Sequence, residues 1–216
     1  SVVNNKKLHT IVGAGTGLGI SRGLINSDII EVLSSEGGHI EFAPKTQKEW
    51  ELKVWLKDFL NLERISYERI ISGEGLCNIA KWRFSYPDAI NHSFQKILNE
   101  SKTSKKTQKK LASEICKFSA KGDSLLREIE NIWLRNYAEY LGDVALHELC
   151  FGGLWISGGT APKHFKNFKS DSFLKHFSDK GRYKDILKSI PVKVILDEEF
   201  GLFSAACRAK MLLKTT

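Results

Sequence analysis

Short segments with strand-like patterns occupy the start of the chain. Residues 8–13 form a compact apolar run, residues 17–25 alternate between apolar and polar positions, and residues 28–33 follow an Asn-Ser-Asp turn signal. Alternation with a period of two is typical of strands, and clusters of glycine, Asn and Ser mark turns. The pattern predicts a three-stranded meander rather than a strand followed by a helix.

Helical periodicity begins further along the chain. Residues 46–60 place apolar side chains on one face of a helix, residues 75–84 predict a shorter helix, and residues 123–149 give the longest helical pattern. The polar, Lys-rich stretch 100–110 predicts a loop or the start of a helix.

The last third mixes apolar runs with short helices. Residues 151–159 and 192–197 predict buried strands, residues 163–189 predict short helices and turns, and residues 202–213 predict a terminal helix. Strands, long helices and late strand–helix units together predict the α/β (α+β) class.

Composition is that of a globular protein, with 42% hydrophobic and 27% charged residues among 216. No apolar run approaches the length of a transmembrane helix, and the first ten residues are too polar for a signal peptide. Four Cys without a CxxC pair predict neither a zinc ribbon nor a disulfide scaffold, which fits a reducing cytoplasm. The only Met is Met211, so either an initiator Met was removed or a longer protein was truncated.

The charge balance favours anionic partners. Lys and Arg number 33 against 25 acidic residues, a formal net charge of +8. Lys clusters lie in 102–110 and 163–169, but only Phe165 and Phe168 add the interleaved aromatics that single-stranded nucleic acids stack on. A solvated basic face is therefore preferred to a nucleic-acid site, and a basic nucleic-acid-binding module stays as the rival interpretation.

A glycine cluster is the densest special sequence. It runs Gly13-Ala14-Gly15-Thr16-Gly17-Leu18-Gly19 and matches neither the GxGxxG fingerprint nor a P-loop. Alternating residues follow it, so no helix N-terminus is predicted there. Glycines let the backbone approach a ligand, and successive amides of a turn bind anions. The interpretations are a phosphate loop at a β-turn or a hairpin without a ligand.

Carboxylates and an imidazole provide candidate sugar contacts. Glu36 and His39 flank two glycines, and Glu68 follows Ser66. Carboxylates accept hydrogen bonds from neighbouring hydroxyls, and His donates or accepts. The alternatives are an exposed turn at Glu36 and His39, and a helix capped by Ser66 with Glu68 in its first turn. No His or Cys lies at ligand spacing, so no protein-bound metal is predicted.

Six stretches in a fixed order closely resemble bacterial-type glucokinases of the hexokinase and actin-like ATPase superfamily. They span nearly the whole chain and read GAGTGLG (13–19), EGGHIEFAP (36–44), ERIISGEGL (68–76), FGGLWISGG (151–159), KGRYKDILKSIPV (180–192) and GLFSAA (201–206). The resemblance implies a ribonuclease H-like/actin-like ATPase domain, a mixed sheet flanked by helices, and ATP-dependent phosphorylation of glucose at its 6-hydroxyl.

The resemblance also implies roles for single residues. The turn that begins at Gly13 would be a phosphate loop for ATP, with Gly15, Thr16 and Gly17 around the β- and γ-phosphates. Glu36, His39 and Glu68 would bind the glucose hydroxyls. Gly158 and Gly159 would belong to the adenosine pocket, and Mg²⁺ would accompany ATP. The family lacks the zinc cluster of the ROK sugar kinases, as this sequence also does.

Two family motifs are missing from the sequence. Glucokinases of this type begin with a small lobe that carries an Asp-x-Gly-Gly-Thr-Asn loop and an Asn-Asp pair, whose Asp is the catalytic base; neither occurs here. We therefore expect residues 1–201 to be the large C-terminal domain, residues 202–216 to pack on that small lobe, and the chain alone to be inactive. A kinase for another hexose and a homodimer both stay open.

Overall fold

The computed structural model describes residues 7–26, 29–101, 105–197 and 199–213. Five strands in these residues form one mixed sheet, in the order β3-β2-β1-β4-β5. The first three are antiparallel, whereas β4 pairs with β1, and β5 with β4, in parallel. Their bounds are β1 (Lys7–Ala14), β2 (Leu18–Asn26), β3 (Ile29–Ser35), β4 (Gly153–Ser157) and β5 (Val192–Val194). The predicted meander is confirmed, although its residue 28 lies outside the described residues.

Ten α-helices lie in the described residues. The predicted helices over 46–60, 75–84 and 123–149 correspond to the first, third and sixth of them. In chain order the helices are α1 (Gln47–Leu60), α2 (Glu68–Ile71), α3 (Gly73–Arg83), α4 (Gln95–Glu100), α5 (Lys105–Ala120), α6 (Ser124–Glu148), α7 (Phe165–Phe168), α8 (Asp171–Ser178), α9 (Lys184–Ser189) and α10 (Phe200–Leu213).

Side-chain caps fix where the three longer predicted helices begin. Thr46 and Glu49 form a capping box at the start of α1, because each side chain accepts a backbone N–H of the other. Ser72 accepts from the amide of Gly75 at 3.0 Å at the start of α3, and Asp123 caps α6.

Helix α6 is the central helix of the core. Its Trp133, Tyr137 and Tyr140 are fully buried, as are Val12 of β1 and Ile156 of β4. The indole N–H of Trp133 donates to the carbonyl of Ser72 at 3.1 Å, which ties α6 to the start of α3. The core therefore fixes the point where α3 begins, next to the candidate site.

Several elements differ from the predicted limits. Lys105 starts a helix that continues to Ala120, because Leu111 and Ile115, one turn apart, are buried; residues 102–104 lie outside the described chain. Both strands predicted over 151–159 and 192–197 are shorter than their apolar runs. The prediction of burial is confirmed for β4 and wrong for β5, an edge strand that pairs only with β4 among the described strands and contains no buried residue. Helix α10 begins two residues before the predicted boundary at 202, and its Leu202 and Phe203 are 74% and 65% exposed.

None of the helices in the described residues combines the length and the apolar character needed to cross a membrane.

Candidate functional site

The glycine cluster forms the tight turn that joins β1 to β2. Ala14 pairs with Leu18 at the end of the ladder, so Gly15, Thr16 and Gly17 make the connection. The amide of Gly15 donates to the carbonyl of Gly17 at 2.9 Å, and Thr16 is exposed at the tip. The structure confirms a tight turn between two strands, here a three-residue connection, while the phosphate role of these residues remains a prediction.

Two further segments contact this turn. The amide of Gly73, at the start of α3, donates to the carbonyl of Gly15 at 2.8 Å. The hydroxyl of Thr160, in the loop after β4, donates to the carbonyl of Ala14 at 2.7 Å. The turn, the start of α3 and the loop after β4 therefore form one hydrogen-bonded unit.

Glycines stand where these segments approach most closely. A Cβ at Gly13 would lie 3.1 Å from the hydroxyl of Ser157. Gly158 has a φ of +90°, which a side chain disfavours, and a Cβ there would lie 2.5 Å from the carbonyl of Ala14. A Cβ at Gly159 would meet no heavy atom within 4 Å, so this glycine leaves open space beside the turn.

A cavity of about 210 Å³ lies between these segments. The basic side chains of Lys109 and Lys163 line it, and the one acidic side chain of its wall, Glu74, is paired with Arg69 at 2.5 Å. Two cations and the positive end of α3 favour an anionic ligand. The other lining residues are Gly15, Thr16, Gly73, Ala112, Gly159 and Thr160.

Two of the predicted sugar contacts flank a single turn of 3₁₀ helix, Gly37–His39: Glu36 directly precedes it and His39 is its last residue. The carboxylate of Glu36 and Nε2 of His39 are 3.8 Å apart, and the side chains are 91% and 52% exposed. Both are therefore accessible to a ligand and close enough to contact the same small molecule.

Two hydroxyl groups form hydrogen bonds that hold the 3₁₀ turn in place. The phenol of Tyr140 donates to the carbonyl of Gly37 at 2.9 Å, and the amide of Gly37 donates to the hydroxyl of Ser35 at 3.2 Å. Burial raises the pKa of Tyr140, so its hydroxyl keeps its proton and stays a donor.

Glu68, the third predicted sugar contact, is the first residue of α2. Its carboxylate accepts a hydrogen bond from the amide of Leu18 at 2.9 Å. The alternative in which Ser66 caps the helix is wrong, because Tyr67 occupies the cap position and no side-chain cap bond is present.

Both segments that carry the sugar candidates contact the start of β2. Gly38 packs so closely that a Cβ there would lie 2.2 Å from the carbonyl of Leu18, the residue whose amide Glu68 binds. The amide of Tyr67 donates to the carbonyl of Ile40 at 3.0 Å, which joins the two segments behind the site. The sugar candidates and the glycine turn are thus adjacent, because Leu18 directly follows the turn and contacts both segments that carry the sugar candidates.

Sequence reasoning missed several residues of this region. Gly73 and Thr160 hold the turn, and Lys109 and Lys163 line the cavity. Thr160 directly follows the predicted pair Gly158 and Gly159, and this position in the sequence could have identified it as part of the site. Both Lys lie in the segments interpreted as solvated basic faces, and nothing local distinguishes them from their neighbours.

A model of the glucokinase family matches residues 2–212. The chain belongs to the glucokinase family. It is 37% identical to the glucokinase of Synechocystis over 210 residues, which cover 93% of this chain and 58% of that protein. The chain thus spans about 60% of the length of the glucokinases it matches.

Solved glucokinases share the fold. The structure of a glucokinase from an Antarctic psychrotroph has a TM-score of 0.71 at 24% identity and covers 95% of this chain and 59% of that chain. A ROK family glucokinase from Streptomyces griseus, solved in complex with glucose and AMPPNP, has a TM-score of 0.57 at 19% identity over 96% of this chain and 62% of that chain. The predicted actin-like ATPase fold, with helices around a mixed sheet, is confirmed.

Proposed function

We propose that this chain supplies the glucose contacts and one wall of the ATP site in a kinase that converts ATP and glucose into ADP and glucose 6-phosphate, the first step of glycolysis. One observation carries the proposal: the carboxylate of Glu68 lies 2.9 Å from the amide of Leu18, the residue that ends the glycine turn. A group for hydroxyls and a loop for phosphates are thereby adjacent, as transfer between the two substrates requires.

Glucose would bind at the start of β2. Glu36 and Glu68 would accept hydrogen bonds from its hydroxyls, and His39 would donate or accept beside them. The exposed side chains of Glu36 and His39 would lose water on binding, so each hydroxyl contact replaces a solvent contact. Contacts to vicinal hydroxyls favour a hexose, and the family favours glucose among them.

ATP would approach from the cavity. Gly13, Gly15, Thr16 and Gly17 would surround the phosphates, with Lys109 and Lys163 supplying positive charge. Gly158 and Gly159 would contact the nucleoside, because Gly159 leaves open space where a side chain would stand. Mg²⁺ would enter with ATP as part of the substrate. The AMPPNP in the Streptomyces griseus glucokinase supports ATP as the donor.

The chain alone would bind but not transfer. Its sequence holds neither the Asn-Asp pair nor the Asp-x-Gly-Gly-Thr-Asn loop, and removing a general base costs about 10²–10⁴ in rate. Residues 1–201 would then act as the large domain, with residues 202–216 packing on a small lobe.

ATP as donor and Cys without disulfide spacing support a cytoplasmic reaction. The exposed Leu202 and Phe203 favour association, either with that lobe or with a second copy.

A glucose titration followed by tryptophan fluorescence tests the sugar site. Glu68→Gln keeps the size of the side chain but removes its charge, and we expect glucose affinity to fall about 10- to 100-fold, the cost of a hydrogen bond to a charged group. Glu63→Gln is the matched control, because Glu63 is exposed in the loop before α2. Equal affinities for the two variants, or no glucose binding by the chain, would contradict the proposal.

A coupled assay with glucose and Mg-ATP tests the division of labour. We expect negligible glucose 6-phosphate from the chain alone. Robust turnover would refute the need for a second lobe, while salt-dependent binding of DNA or RNA without a response to sugar or nucleotide would favour the basic-module rival.

A further inference from the structure

A thiol, an imidazole and a carboxylate meet at one point of the structure. Cys116 lies on α5, Glu130 on α6 and His164 in the segment just before α7. One donor atom from each lies within 4.8 Å of the donors of the other two. None of the three belongs to the contacts proposed above for glucose or ATP.

The imidazole stands between the other two groups. Its Nε2 lies 3.7 Å from the sulfur of Cys116, and its Nδ1 lies 3.1 Å from a carboxylate oxygen of Glu130. The hydroxyl of Ser119 donates a short hydrogen bond to the other oxygen of Glu130. The order carboxylate, histidine, thiol follows the relay in which an acid orients a metal-binding His.

The spacing of the sulfur and the nitrogen suits a shared cation. With Zn–S near 2.3 Å and Zn–N near 2.0–2.1 Å, a tetrahedral angle separates the two donors by about 3.5 Å. The observed 3.7 Å is close to that value without any movement of the backbone. His164 is also held in place, because its ring lies 4.7 Å from that of Trp133 and is 2% exposed.

We propose that Cys116 and His164 bind a thiophilic divalent cation of the Zn²⁺ type, with Glu130 orienting the imidazole from its other side. Sulfur and imidazole donors select zinc over Mg²⁺ or Ca²⁺, which prefer oxygen. The remaining coordination positions fall to water.

The cavity of the candidate site reaches residues next to this cluster. Ala112 and Lys163 line the cavity; Cys116 is one helical turn beyond Ala112 on the same face of α5, and His164 follows Lys163 directly. Cys116 itself is half-buried.

Metal binding at this cluster would release a proton. Cysteine binds a metal as the thiolate, so the thiol proton of Cys116 would leave for solvent as the metal–sulfur bond forms.

Cobalt serves as the spectroscopic probe for Zn²⁺. Adding Co²⁺ to the reduced full chain should produce a thiolate-to-cobalt absorption band in the near ultraviolet, and Zn²⁺ should bleach it at one equivalent per chain. Cys116→Ser should remove the band, and Glu130→Gln should weaken Zn²⁺ binding in equilibrium dialysis about 10- to 100-fold.

Two control variants separate this site from surface binding. Cys207→Ser changes a sulfur on α10, and His147→Gln changes an imidazole with an 81% exposed side chain; both should leave the band and the Zn²⁺ affinity unchanged. Absence of the thiolate–cobalt band in the unmodified chain would overturn the proposal, whether or not the variants fold. Persistence of the band in Cys116→Ser would overturn it as well.

Discussion

Replacing Gly17 by alanine should displace the carboxylate of Glu68 rather than the backbone. A Cβ at Gly17 would lie 2.6 Å from Oε2 of Glu68, too close for any real contact. The carboxylate is the far end of a flexible side chain, so it can move aside. By moving, it gives up the 2.9 Å hydrogen bond from the amide of Leu18.

The lost hydrogen bond sets the magnitude. Leaving a partly buried amide without its acceptor costs about 1–3 kcal/mol. We therefore expect Gly17→Ala to lower the free energy of unfolding of the chain by that amount in urea titrations followed by tryptophan fluorescence. Gly19→Ala is the matched control, because a Cβ there meets no heavy atom within 4 Å; it should change stability by about 0.5 kcal/mol or less.

A double-mutant cycle decides whether Glu68 carries the effect. In a Glu68→Ala background the obstructing carboxylate is gone, so Gly17→Ala should cost almost nothing there. An interaction energy of about 1–3 kcal/mol is expected between the two sites. The same cost in both backgrounds would refute the reasoning, because the penalty would then come from the backbone of the turn.

Three further changes have expected outcomes. Gly158→Ala should destabilise the chain by at least about 1–3 kcal/mol in urea unfolding, because its φ is positive and its Cβ would lie 2.5 Å from the backbone carbonyl of Ala14, whereas Gly159→Ala should have little effect; similar values for both would contradict this reasoning. Thr46→Ala removes half of the capping box with Glu49 and should cost about 0.5–2 kcal/mol, and a cost near zero would show that the cap contributes nothing. Burial raises the pKa of Cys77 from 9.0 to about 12, so the contribution of this thiol to stability should be full below pH 9.0 and fall between pH 9.0 and about 12, where only the unfolded thiol ionises. Cys77→Ala should make the overall fall in stability shallower by the share of one thiol, because burial also raises the pKa of Tyr67 from 10.0 to about 12; an unchanged slope would contradict the assignment.

Local patterns were sufficient to predict most elements of the fold. The meander, α1 and α6 follow from periods of two and 3.6 along the sequence. Helix α5 was harder, because Lys-rich residues begin it and the buried Leu111 and Ile115 lie beyond the basic run. The strand ends were also set by tertiary contacts rather than by hydrophobicity.

The residues of the candidate site likewise differ in whether local sequence or tertiary packing identifies them. Glycines and acids in compact stretches pointed to Glu36 and to the turn at Gly15, since their chemistry is local. The cluster of Cys116, Glu130 and His164 could not be predicted, because its members come from separate elements and no ligand spacing links them. Only the packing of α5 and α6 against the segment before α7 brings these donors together.

The parallel pairing of β1 with β4 has a consequence for how the chain folds. His9 lies opposite Gly153, about 140 positions away, so this ladder closes the largest loop in the sheet and forms slowly compared with the neighbouring hairpins. As the ribosome releases the chain, the meander emerges well before its partner and exposes the open edge of β1. During that interval we expect the edge of β1 to be open to pairing with other strands until β4 is synthesised and occupies it.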